Sequence, residues 1–186
     1  MVAGLAENAD ATIFIGYHGR AGTFRSVMAH SISGGVVADI RCNGRSLGEL
    51  GLNAALAASA GAPAVLVAGD DSVAAEAAEV APGMHAVVVK RALGGTAAAS
   101  LHPDEACDRI EQAVPGALAD RDTVGAPQFD GPVELEVDVF RPRQAERALL
   151  VPGRSPRRQR PHALLHRGQF PEAYQLTQLI VVLGGI

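Results

Sequence analysis

Four short apolar runs set the limits on what this chain can fold into. Residues 11–16 (ATIFIG), 36–41 (VVADIR), 64–68 (AVLVA) and 85–90 (HAVVVK) are rich in β-branched residues and bounded by glycine or polar turns. Runs of that length and composition read as buried strands. Residues 46–60, full of Leu and Ala and stopped by Gly61 and Pro63, read as a helix, as do 72–80, an Ala/Glu segment ended by Pro82-Gly83. Residues 103–118 are a third helix, which Pro115 and Gly116 should end or kink. Strands alternating with helices of this size predict an α/β fold, a sandwich of helices around a largely parallel sheet. Asn43-Gly44 predicts a tight turn. Residues 133–140 (VELEVDVF) alternate strictly with acids on one face, which predicts a half-exposed or edge strand. Residues 171–186 read as a closing helix with Pro171 in its first turn, so that 1–186 make a single domain.

Composition removes several functional classes. With 48% hydrophobic and 19% charged residues the chain is not of the disordered type. Its apolar runs fall short of the ~20 residues of a membrane span, so no membrane partner is expected. Glu7 and Asp10 near the start argue against a signal peptide, and Cys42 and Cys107 form neither a disulfide framework nor a metal-type spacing. A reduced, cytoplasmic protein follows. The net charge of −4 conceals a split, since residues 141–167 hold eight Arg and one Glu, leaving the remainder strongly acidic. Clustered guanidiniums suit phosphate. The stretch has no interleaved aromatics and no nucleic-acid motif, so it reads as a solvated, poorly ordered segment and no nucleic-acid partner is expected.

Candidate chemistry gathers at the strand ends. His18 follows the first strand and a glycine, where open α/β sheets place ligands, and it reads either as a metal ligand or proton carrier or as a loop histidine without a task. His30, among Ser26, Ser31 and Ser33, reads either as a general acid/base or as a hydrogen-bonded structural residue. Ser46-Leu47-Gly48-Glu49 fits a capping box, which would explain Glu49 without function, while a carboxylate there could also join an imidazole on zinc. Asn53 lies one turn further on the same face. Asp70-Asp71-Ser72 closes a strand and opens a helix, so an N-cap is the favoured reading over a metal or ribose role. Gly34-Gly35 and Gly94-Gly95 lack a dinucleotide fingerprint and read as turns.

Taken as a set, these residues carry a resemblance. Gly16-Tyr17-His18, Met28-Ala29-His30-Ser31, Gly48-Glu49-Leu50-Gly51-Leu52-Asn53 and Val67-Ala68-Gly69-Asp70-Asp71 occur in one order and register. Together they closely resemble the D-aminopeptidase family of binuclear zinc metallopeptidases, of the dipeptide-transport-operon type. The similarity runs from about residue 7 to 153 and resumes at Glu172-Ala173-Tyr174. The resemblance implies that His18 and Glu49 are zinc ligands, that His30 is the active-site histidine, and that the reaction is hydrolysis of the amide beside a free N-terminal D-amino acid. Asn53 is the candidate substrate-binding residue. Two zinc ions per site, a small peptide substrate and a homo-oligomeric ring belong to the same implication.

The sequence departs from the family pattern twice. The family opens with a strand carrying an Asp-x-Glu pair and later supplies a histidine from an Asn-Asp-Ser-His-like turn, both zinc-ligating, and this chain has neither. The expectation is an N-terminally truncated member, its fold incomplete on that side and its apolar surface exposed, or a catalytically inactive remnant that keeps the oligomerisation surface. Residues 154–170 are the second departure. Their length suits the family's strand-like segment, but the Arg- and Pro-rich composition is foreign to it, as two compensating frame changes in the coding sequence would produce.

Overall fold

The computed structural model describes residues 4–5, 8–152, 155–157 and 160–186. In chain order it forms β1 (Thr12–Tyr17), β2 (Val37–Cys42), β3 (Arg45–Ser46), α1 (Glu49–Ser59), β4 (Ala64–Asp70), α2 (Asp71–Val80), β5 (His85–Gly94), β6 (Ala97–Ser100) and α3 (Pro103–Ala119). A short 3₁₀ turn, Arg121–Thr123, follows, and then β7 (Val133–Val139), α4 (Pro142–Ala148), β8 (Ser155–Arg157), β9 (Arg160–Gly168) and α5 (Phe170–Gly185). These elements belong to two compact units, one holding the chain up to Ala29 and Leu50–Gln128, the other His30–Glu49 and Phe129–Ile186.

The first unit is the α/β one. Its sheet has the order β1-β4-β5-β6, with β1, β4 and β5 parallel and β6 antiparallel to β5. Every residue of β4 is buried, which is why it reads as an unbroken apolar run: a parallel strand with both faces covered has no polar side. Helices α2 and α3 pack on β4 and β5. Val65, Leu66, Ala68 and Ala117 form a core with Ile110, Ala113 and Val114 against it, and each fully buried Val or Leu contributes about 1.5–3 kcal/mol. Pro115 sits inside α3 without ending it. At the carboxyl ends of β1 and β4 the backbones converge so far that a Cβ on Gly69 would lie 2.1 Å from the Tyr17 carbonyl oxygen. Only glycine fits there. At the outer edge, Ile13 and Ile15 of β1 are 38% and 57% exposed.

In the second unit an antiparallel sheet runs in the order β3-β2-β7-β9-β8, and the sequence did not signal it as a separate layer. Asn43 and Gly44 close the β2–β3 hairpin with both residues left-handed (φ 52° and 80°), the geometry that Asn-Gly adopts at least cost. The alternating strand β7 is central rather than at an edge, because its acids have partners on the neighbouring strands. The Arg41 guanidinium bonds Glu136 at 3.0 Å and Asp138 at 2.8 Å and also holds Asp39, while Arg167 reaches Glu134 at 2.7 Å. Burial works to lower the Arg41 pKa, but Asp138 and Asp39 outweigh it and the net shift is upward.

The basic stretch is not the poorly ordered segment its composition suggests, although Arg141, Arg143 and Arg167 on it are exposed. Over its described residues it forms α4, β8 and β9, and β9 pairs with β7 from Val133↔Gly168 to Asp138↔Ala163. A ladder bond asks only for backbone groups, and Leu164, buried at 2%, supplies the apolar contact. Residues 153–154 and 158–159 of that stretch lie outside the described residues. Helices α4 and α5 pack on each other and on this sheet. Pro171 falls in the first turn of α5, as expected. Among the described residues no helix is long and apolar enough to cross a membrane.

Candidate functional site

In the first unit, His18 is the residue after β1, half-buried, at the carboxyl end of parallel strands where α/β sheets place ligands. Its Nδ1 lies 3.1 Å from the Gly19 carbonyl oxygen. A carbonyl only accepts, so Nδ1 carries the hydrogen in this contact. In the neutral ring the lone pair then falls to Nε2, the form in which imidazole binds a metal. Asn53, buried in α1, donates from Nδ2 to the Tyr17 hydroxyl at 2.8 Å, and the Tyr17 ring stacks on Phe14 with centroids 4.8 Å apart. Asn53 therefore fixes the side chain immediately before His18.

Asp70 ends β4 and caps α2, as its position suggested, accepting from the Val73 N–H at 2.9 Å. It also accepts from Ser72 Oγ, Ser26 Oγ and the Val27 N–H. Burial alone would raise its pKa, but the hydrogen bonds from Ser72, Val73, Val27 and Ser26 outweigh that, and the carboxyl is held below the ordinary range. Neither Ser26 nor the second task of Asp70 is legible from spacing, because their partners lie 44 and 43 residues away.

In the second unit His30 and Glu49 are brought into contact, His30 Nε2 lying 3.4 Å from Glu49 Oε1. The capping-box reading fails here. Ser46 belongs to β3 and its hydroxyl donates to Asp39, while Glu49 Oε1 accepts the Ile32 N–H at 2.7 Å. Ile32 is left-handed at φ 63°, a costly state for a β-branched residue, and in it the amide meets Glu49. His30 packs over Gly34, where a Cβ would come within 3.3 Å of the His30 Cβ. Burial first, and the Glu49 charge second, push the phenol pKa of the buried Tyr174 upward.

Each unit thus offers donors that zinc takes. The first presents an imidazole at His18, and the second an imidazole and a carboxylate at His30 and Glu49. Cys42 is buried in β2, and burial pushes its thiol up to about 12.

Residues 1–179 match the family described as D-aminopeptidase. A curated D-aminopeptidase of Bacillus subtilis (strain 168) is 38% identical over 154 residues, covering 82% of this chain and 55% of that protein. The solved structure of the Zn-dependent D-aminopeptidase DppA from Bacillus subtilis, described as a self-compartmentalizing protease, superposes with a TM-score of 0.89 at 32% identity. That match covers 95% of this chain and 64% of DppA. The chain belongs to the D-aminopeptidase family. It spans between about half and two thirds of the length of these relatives.

Proposed function

We propose that this protein is a zinc-dependent aminopeptidase-type hydrolase that releases N-terminal D-amino acids from small peptides. His18 and Glu49 supply metal ligands and His30 is the catalytic histidine. The observation that carries the reading is the contact of His30 Nε2 with Glu49 Oε1, 3.4 Å, in a chain that matches the family over residues 1–179. Bound zinc supplies Lewis-acid polarisation of a scissile carbonyl and a more acidic water, with two ions per site as the expected ceiling. His30 moves the proton, giving it to the oxyanion or to the leaving amine. Glu49, anchored by the Ile32 amide, keeps the imidazole oriented. Asn53 acts on the substrate side through the Tyr17 hydroxyl that it fixes. A homo-oligomer in the cytoplasm completes the reading, supported by the self-compartmentalizing relative and by the free thiols of Cys42 and Cys107.

A second reading is a catalytically inactive module that keeps the self-association surface of a family whose solved member is described as self-compartmentalizing. Zinc content after dialysis, together with hydrolysis of a D-Ala peptide, separates the two. The enzyme reading expects at least about one tightly held zinc per chain and release of D-Ala. Less zinc than that, with no hydrolysis, overturns it. His18→Ala and Glu49→Ala should lose metal and activity together. His30→Ala should keep its zinc and lose turnover by roughly 10²–10⁴-fold.

A further inference from the structure

The buried carboxylate of Asp70 does more than its helix requires. An N-cap needs one side-chain oxygen accepting from the first turn, and Ser, Thr or Asn would serve. At Asp70 one oxygen does that work: Oδ1 accepts from the Val73 N–H at 2.9 Å and from Ser72 Oγ at 2.7 Å. The second oxygen, Oδ2, faces the loop after His18, accepting from the Val27 N–H at 2.9 Å and from Ser26 Oγ at 3.1 Å. Ser26 Oγ in turn accepts the Gly19 N–H at 3.0 Å. Only a carboxylate offers an acceptor to both sides at once.

The loop held this way is crowded and partly strained. A Cβ on Gly19 would lie 2.7 Å from Ser72 Oγ and 2.9 Å from Ser26 Oγ, so the backbone beside His18 is pressed onto this network. Arg25 and Met28 both adopt φ 55°, and such states persist only where the surroundings over-determine them. The Arg20 N–H is fixed as well, on Glu76 Oε2 at 2.9 Å. His18 bonds the carbonyl of the same Gly19 whose amide Ser26 holds.

We propose that Asp70, relayed through Ser26, is a positioning residue for His18: it fixes the Gly19 backbone and, through the Gly19 carbonyl, the orientation and tautomer of the imidazole. The assignment rests on His18 being a metal ligand as proposed above. Groups behind ligating histidines are worth about 10–100-fold in metal affinity.

The test uses Ser26→Ala and Asp70→Asn, with Ser59→Ala, an exposed hydroxyl that bonds the Leu56 carbonyl in α1, as a control outside the network. Zinc affinity is measured by competition with a chromophoric chelator, and amide hydrogen exchange at Gly19 and Val27 is measured in zinc-free protein. Expected are a zinc affinity about 10–100-fold weaker for Ser26→Ala and Asp70→Asn, Gly19 exchange faster in both, and near wild-type behaviour for Ser59→Ala. If Asp70→Asn does not fold, Ser26→Ala, which leaves the helix cap intact, decides alone. Folded variants that bind zinc like the wild type, or no more weakly than Ser59→Ala, overturn the proposal. A wild type that binds no zinc refutes His18 as a ligand and takes the positioning role with it. Exchange at Gly19 that is unchanged by Ser26→Ala, with wild-type zinc binding intact, refutes the relay alone.

Discussion

Replacing Gly69 by alanine probes the point at which β1 and β4 come closest. The new Cβ would sit 2.1 Å from the Tyr17 carbonyl oxygen and 2.6 Å from Val73 Cγ1. The valine can rotate away, but the carbonyl is backbone, so the two strands must part by about 1 Å to restore van der Waals contact. Overpacking of this kind costs about 1–3 kcal/mol, and a backbone obstacle belongs at the upper end. Removing a strand glycine returns about 0.5–1 kcal/mol of chain entropy, which leaves a net loss of about 2–2.5 kcal/mol. For a chain of this size that is a fall in Tm of about 4–10 °C. Urea and thermal denaturation of Gly69→Ala against wild type measure it. Gly95→Ala, where the added Cβ meets nothing within 4 Å, is the control and should stay within about 0.5 kcal/mol. Gly69→Ala as stable as the control would refute the reasoning. Because the displaced carbonyl belongs to the residue before His18, zinc affinity should fall in the same variant.

Other consequences are open to measurement. The native pKa of Asp70 is depressed, so its contribution to stability is complete above about pH 4, the unfolded value, and fades as pH falls through the lower native one. The urea-midpoint difference between wild type and Asp70→Asn should therefore shrink below pH 4, and a constant difference down to pH 2 would contradict it. Arg41→Met strands Glu136, whose side chain is only 5% exposed, and should cost about 3 kcal/mol; adding Glu136→Gln should recover more than about 1 kcal/mol of that. Recovery of nothing would mean that the guanidinium matters for packing alone. The Cys42 thiol, pushed up to about 12, should resist alkylation at pH 8 while the exposed Cys107 reacts, giving one labelled thiol in native protein and both in denaturant.

Legibility followed the range of the interactions involved. β4 was plain because a doubly covered parallel strand writes its burial into consecutive residues, and the Asn43-Gly44 hairpin because the signal and the structure occupy the same two positions. Pro171 and the cap at Asp70 were visible for the same local reason. The antiparallel layer was not, since β3 is only two residues long, α4 is seven residues of mixed character, and β9 is basic. Each owes its state to a partner elsewhere in the chain. The candidate residues His18, His30 and Glu49 emerged from the register of four blocks rather than from any one of them. Ser46 and Glu49 show what local signals miss. The pattern is that of a cap, but Asp39 and the Ile32 amide hold these side chains instead, and neither is adjacent in sequence.

The chain crosses between its two units three times, after Ala29, Glu49 and Gln128, and this sets a timetable for synthesis. The hairpin of β2 and β3 leaves the ribosome early, but Ile40 pairs with Val137, nearly a hundred residues later. At elongation rates of about 5–20 residues per second the hairpin waits on the order of 5–20 seconds for its sheet. Throughout that interval Val37 and Ile40, fully buried in the finished protein, have no β7 to lie against. The first unit can assemble almost entirely in the meantime, so the nascent chain carries one folded half and one sticky hairpin. Holding that hairpin apart from its neighbours on a polysome is a task for a chaperone, and the demand should grow as translation slows.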